Sequence, residues 1–163
     1  MFRPSIIIAE DHRLFRSGLK FILEASNQYS VIGEASDGFE LLSMLENKKP
    51  SLVIMDINMP RMNGIEATNL AIARYPDLKI IVLSMYDDME YYNTLLDHGI
   101  KGFLLKDADN EEFFLAINKV LAGETYFSQE VLLNIIRKSS DMGSIKLSRR
   151  EKEILELISQ GLS

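Results

Sequence analysis

Through residue 123 the chain alternates two hydrophobic patterns. Short apolar runs occur at Ile6-Ile7-Ile8, Val31-Ile32, Leu52-Val53-Ile54-Met55, Ile80-Ile81-Val82-Leu83 and Phe103-Leu104-Leu105. Between them, apolar positions recur at helical spacing, as with Phe15, Leu19 and Ile22, or Phe113, Ile117, Val120 and Leu121. An apolar run without polar alternation predicts a strand buried on both faces, and the three-to-four spacing predicts an amphipathic helix. The pattern thus predicts strands near 6–8, 31–35, 52–56, 80–84 and 100–106, each followed by a helix, over 13–25, 37–47, 65–75, 87–97 and 109–121. Pro76 stops the third helix, and Gly99 and Gly123 end the fourth and fifth.

Five strand-helix units in succession imply right-handed crossovers and a parallel sheet covered on both faces. The expected class is α/β, a doubly wound, five-stranded, flavodoxin-like sheet of order 2-1-3-4-5. That order sets the ends of the first and third strands side by side. It therefore brings Glu10 and Asp11 next to Asp56, although 45 positions separate Asp11 from Asp56 in the chain.

Beyond residue 123 the pattern loosens. Residues 124–145 read as a linker, with a helix over 128–138 and a polar stretch at Ser139-Ser140-Asp141-Met142-Gly143-Ser144. Ser148-Arg149-Arg150-Glu151 is a capping box heading a helix that carries Ile154, Leu155, Leu157 and Ile158 and closes at Gly161. A lone amphipathic helix cannot bury its apolar face. Residues 146–163 are therefore expected to be the start of a truncated all-α domain, following a domain at 1–123.

Composition narrows the chemistry. The chain has 163 residues, of which 47% are hydrophobic and 26% charged, as in ordinary globular proteins. No apolar run approaches the roughly 18 residues of a membrane helix, and no signal-peptide pattern opens the chain, so the expected location is cytoplasmic, without membrane association. The formal net charge is −6; residues 146–163 contribute +1, leaving −7 for the body, which argues against broad nucleic-acid clamping by this chain. With no cysteine and two isolated histidines, His12 and His98, any metal must be held mainly by oxygen.

Asp56 alone would read as a turn cap, a common role for Asp. Its expected company alters that. Three carboxylates brought together in a partly desolvated cleft repel one another, and a hard divalent cation resolves the repulsion; an all-oxygen donor set points to Mg²⁺. Two further strand ends bring Ser84 and Lys106 to the same edge. A carboxylate nucleophile, Mg²⁺, an ammonium and a hydroxyl suit phosphoryl transfer. His12, a lone loop histidine, reads as a local hydrogen-bonding group.

The combination Ile8-Ala9-Glu10-Asp11-His12, Met55-Asp56-Ile57-Asn58-Met59-Pro60 with Asn63-Gly64, Leu83-Ser84 and Gly102-Phe103-Leu104-Leu105-Lys106-Asp107 resembles the receiver domain of two-component response regulators over residues 5–123. The Glu-Asp-His opening and the Leu147-Ser148-Arg149-Arg150-Glu151 tail resemble the NarL/LuxR (FixJ) type, in which a helix-turn-helix DNA-binding domain follows. The resemblance implies Asp56 as phosphoacceptor from a sensor histidine kinase. It implies Mg²⁺ on Asp11, Asp56 and the Asn58 backbone carbonyl, with Glu10 acting through water. Lys106 and Ser84 would contact phosphoryl oxygens, and Ser84 and Phe103 would form the switch: Ser84 moves towards the phosphoryl group and Phe103 fills the vacated space. The resemblance further implies dimerisation on phosphorylation, DNA contact only through a complete C-terminal domain, and no turnover enzyme. Ser84 stands where the family more often has Thr, and Phe103 where Tyr is also common, which puts preorganisation of the hydroxyl in question. Two rivals are a phosphorylation-independent receiver-like interaction module and a flavodoxin-like cofactor binder. The second is disfavoured because Glu10-Asp11 would repel a phosphate at the first loop.

Overall fold

The computed structural model describes residues 2–85, 91–133, 136, 152–154, 156 and 157. In chain order the elements are β1 (Ser5–Ala9), α1 (Arg13–Ala25), β2 (Ser30–Ala35), α2 (Gly38–Leu45), β3 (Leu52–Asp56), α3 (Gly64–Arg74), β4 (Ile80–Ser84), α4 (Tyr92–Asp97), β5 (Gly102–Leu105), α5 (Asn110–Leu121) and β6 (Tyr126–Phe127). The strands form one all-parallel sheet of order β2-β1-β3-β4-β5-β6. This is the expected doubly wound α/β fold with one added edge strand.

Alternation along the strands divides the core into two layers. Ile7, Ala9, Val53, Met55, Ile80 and Val82 face α2, α3 and α4, where Leu41, Leu45, Ala67, Ala71, Leu95 and Leu96 cover them. Ile6, Ile8, Leu52, Ile54, Ile81 and Leu83 face α1 and α5, meeting Leu19, Leu23, Phe113, Ile117 and Val120. Every residue of β3 and β4 is buried, which accounts for their continuous apolar sequence. Full burial of each apolar side chain among them stabilises the fold by roughly 1.5–3 kcal/mol relative to exposure.

Side-chain caps set most helix starts. His12, Asp37, Asn63 and Asp109 each accept a hydrogen bond from the backbone N–H three residues on, at the heads of α1, α2, α3 and α5. Gly123 closes α5 with φ 91°, a left-handed value that costs glycine no Cβ strain.

The sixth strand corrects the five expected. Tyr126 and Phe127 pair in register with Gly102 and Phe103 of β5, and the Ser128 N–H donates to the Phe103 carbonyl at 2.9 Å. A two-residue strand leaves no periodic signature, so the segment read as a linker from residue 124. Residues 129–133 are helical as expected, and Val131 is buried in the same layer as Phe103 and Phe127. Ile154, from the tail, is 3% exposed and belongs to that layer too. The polar stretch 139–144 and the capping box at 148–151 lie outside the described residues, as do residues 87–90 of the expected fourth helix. Among the described residues no helix is long and apolar enough to cross a membrane.

Phe127→Ala should destabilise the domain by about 3 kcal/mol in urea unfolding, with the loss of a buried aromatic as the cause. A loss below about 0.5 kcal/mol would show that β6 is not part of the cooperative unit.

Candidate functional site

The sheet order changes direction between β1 and β3, where the crevice of an open α/β sheet lies. β1 pairs with β3 in parallel, Ala9 beside Met55, so that the next residue of each chain, Glu10 and Asp56, emerges at one edge. Glu10 is 1% exposed and Asp56 4% exposed, whereas Asp11 stands in solvent. Carboxylate oxygens of Glu10, Asp11 and Asp56 all lie within 4.8 Å of one another. The convergence expected from the strand order is therefore present.

Lys106 enters from the far side. Its backbone N–H donates to the Ser84 carbonyl at 2.8 Å, extending the β4–β5 ladder by one bond. Its ammonium stands 2.9 Å from Glu10 Oε2 and 3.0 Å from Asp56 Oδ1. Burial alone would lower the lysine pKa, but the Glu10 and Asp56 carboxylates outweigh it and hold the ammonium above the usual range. Burial, with the Glu10 charge added, pushes Asp56 up to about 6, against the opposing pull of Lys106 and of the Asn58 backbone N–H. One ammonium thus fails to balance the acids it touches.

That imbalance decides what the site can hold. Three carboxylates confront a single lysine, the donors are all oxygen, and the exposed Asp11 leaves an open side on which waters can remain. This is the donor set of a hard divalent cation that keeps part of its hydration, and the residues present fit Mg²⁺.

Other groups fix the loop after β3. Gly64 N–H donates to the Ile57 carbonyl at 2.8 Å, and a Cβ at Gly64 would collide with the backbone carbonyl oxygen of Asp56. Only glycine admits this approach. Arg61, with φ 65°, turns its guanidinium onto the buried Asp37 carboxylate at the head of α2, and the Gly38 N–H donates to the Met62 carbonyl at 3.0 Å. Burial pushes the Asp37 carboxyl up, yet the Glu40 N–H and Arg61 outweigh that and hold it below the ordinary range. Asp37 and Arg61 were not singled out by sequence reasoning; an Asp before a helix signals only a cap, and nothing in the sequence pairs it with position 61.

Ser84 is fully buried at the end of β4, and its hydroxyl donates to the Met85 carbonyl at 2.8 Å. Ser84 thus lies at the strand-end edge, with its hydroxyl engaged by the next residue's carbonyl. Of Asn58, the backbone N–H is directed at the Asp56 carboxylate. The Phe103 ring is 0% exposed, in the layer with Leu95, Leu96 and Phe127. His12 caps α1, accepting from the Phe15 N–H through Nδ1 at 3.3 Å, as a local hydrogen-bonding histidine should.

The family model described as response regulator receiver domain matches residues 6–118. The chain belongs to the response regulator receiver family. This receiver is 36% identical over 178 residues to the transcriptional regulatory protein DegU of Brevibacillus brevis, covering 97% of this chain and 75% of that protein. It is 38% identical over 167 residues to the oxygen regulatory protein NreC of Staphylococcus haemolyticus, covering 96% and 77%. A LuxR-family two-component response regulator from Aurantimonas sp. SI85-9A1 superposes with a TM-score of 0.79 at 26% identity, over 85% of this chain and 99% of that one. RcsB of Salmonella typhimurium superposes with a TM-score of 0.78 at 28% identity, over 99% of this chain and 79% of that one. The receiver is thus of the NarL/LuxR type.

Two outcomes test this geometry. Gly64→Ala should destabilise the receiver by about 2 kcal/mol in urea unfolding, because backbone rather than a flexible side chain must yield. The second concerns Asp56, whose folded form holds its proton more tightly than the unfolded chain does. Its contribution therefore turns against folding as pH rises from its ordinary value to about 6 and stays unfavourable above. In buffer without divalent cations, Asp56→Asn should raise the melting temperature at pH 7.5, and the gain should shrink towards zero as pH falls to 4. A gain independent of pH would contradict the assignment of the buried charge to Asp56.

Proposed function

We propose that this protein is the phosphoacceptor of a two-component phosphorelay, taking a phosphoryl group on Asp56 and regulating transcription through a C-terminal DNA-binding domain. The observation that carries the reading is the meeting of Lys106 with Glu10 and Asp56 at 2.9 and 3.0 Å, at the edge where Asp11 completes the acidic cluster. An Asp56 carboxylate oxygen would attack the phosphorus of a phosphohistidine on a sensor kinase. A P–O bond forms, the P–N bond breaks, and the imidazole leaves with the electron pair.

Asp11, Asp56 and the Asn58 carbonyl would hold Mg²⁺, with Glu10 acting through water. Bound there, the ion would neutralise charge on the transferring phosphoryl group and orient it. Lys106 would exchange its contact with the Asp56 carboxylate for a phosphoryl oxygen, and Glu10 would keep it at the edge. The Ser84 hydroxyl would leave the Met85 carbonyl for another phosphoryl oxygen, altering the end of β4 and the wall of the buried layer that contains Phe103. Dimerisation and release of the DNA-binding domain would follow. The solved LuxR-family relatives support this output, since one of them is described as RcsB dimers bound to DNA. The protein itself would act as a switch with at most slow self-dephosphorylation.

Acetyl phosphate with Mg²⁺ should label the wild-type chain with a hydroxylamine-sensitive acyl phosphate, and Asp56→Asn should label at least 100-fold less on the order of magnitude set by loss of the nucleophile. Lys106→Ala should slow labelling by about 10–100-fold, as expected for removal of one charge-stabilising contact. Equal labelling of the Asn variant would assign the phosphoryl group elsewhere, and an unlabelled wild type would favour a phosphorylation-independent interaction module.

A further inference from the structure

Lys106 has a third neighbour that no carboxylate chemistry requires. Its ammonium lies over the ring of Phe15, 5.0 Å from the centroid. Phe15 stands in the first turn of α1 and Lys106 just past β5, more than ninety positions away in the chain. A lysine is a point charge on a flexible four-carbon stem with no preferred direction of its own. Here the Lys106 side chain is only 16% exposed, so an aromatic face beside it acts in a partly desolvated setting, where a cation over a ring is held more strongly than in water.

A hollow of about 170 Å³ lies beside the ring, between α1 and α5. Phe15, Leu19, Leu83, Lys106, Ala108 and Phe113 line it, and its walls are mainly apolar. The side chain of Lys106 thus borders open space as well as the acids, and the Phe15 ring is the aromatic face that meets its ammonium. The backbone that carries the ring is tied to the site. The Phe15 N–H donates to His12 Nδ1 at 3.3 Å, the His12 N–H donates to Glu10 Oε1 at 3.1 Å, and Arg16 Nη1 donates to the Glu10 carbonyl at 2.5 Å. The first turn of α1 is therefore tied to the same glutamate that pairs with the lysine.

We propose that Phe15 is a positioning residue for Lys106: its ring face confines the ammonium against Glu10 and Asp56, ready for a phosphoryl oxygen. The role rests on the reading of Asp56 as phosphoacceptor. It acts through the face of the ring rather than through bulk. Tyrosine should therefore replace Phe15, and leucine, which fills similar space without a π-system, should not.

The full chain with Phe15→Leu or Phe15→Tyr provides the test. With acetyl phosphate and Mg²⁺, the Leu variant should phosphorylate about threefold to tenfold more slowly at saturation, with an unchanged half-saturating concentration, while the Tyr variant stays within about twofold of wild type. In the absence of any phosphodonor, the Lys106 methylene protons should show upfield ring-current shifts in the wild type and the Tyr variant, lost in the Leu variant. A Leu variant that reacts at the wild-type rate, or a Tyr variant as slow as Leu, overturns the positioning role while leaving the phosphoacceptor intact. A wild type that takes no phosphoryl group overturns both, and the ring-current shifts then report only a packing contact.

Discussion

The repulsion among Glu10, Asp11 and Asp56 is the constraint on which the rest of the site depends. Parallel strands β1 and β3 bring two of these acids to adjacent ends and remove them from water, which no fold would favour for stability alone. Lys106 offsets part of the repulsion, and Asp56 nevertheless remains pushed up to about 6, chiefly by burial and by the Glu10 charge. The site is thus unbalanced in a definite direction. A divalent cation would offset the excess charge, and a phosphoryl group attached to Asp56 would redistribute its charge contacts.

The surroundings hold that unfavourable arrangement in place. Both layers of apolar side chains pack against β3, so the strand carrying Asp56 cannot slide or tilt to relieve the charge. Gly64 lets the following loop fold back over the Asp56 carbonyl, and the Asp37–Arg61 ion pair secures that loop to the head of α2. At the other wall, Arg16 and His12 fasten the start of α1 to Glu10. These contacts are spread over β1, α1, α2, the β3–α3 loop and β5, and together they make the edge a rigid receptacle.

The fold was legible because its strands are buried on both faces and therefore carry unbroken apolar runs, and because the order of such units constrains topology. The acids and Lys106 were legible because each directly ends a run. What escaped had no such marker. β6 is two residues long, too short for a period, though it pairs in register with Gly102 and Phe103. The hydroxyl of Ser84 could be placed at the edge from the strand, but its bond to Met85 depends on a rotamer. Arg61 with Asp37, and Phe15 with Lys106, are contacts between elements whose side-chain directions a one-dimensional pattern does not contain.

Beryllofluoride binding followed by ¹⁹F NMR tests the central claim most directly, because this trigonal fluoride complex mimics a phosphoryl group on a carboxylate without chemical turnover. With Mg²⁺ present, the wild-type chain should show bound-fluoride resonances at one equivalent per chain, absent without Mg²⁺ and absent in Asp56→Asn. Bound resonances that persist without the metal or in the Asn variant, or none in the wild type, would contradict an Mg²⁺-dependent phosphoacceptor built on Asp56.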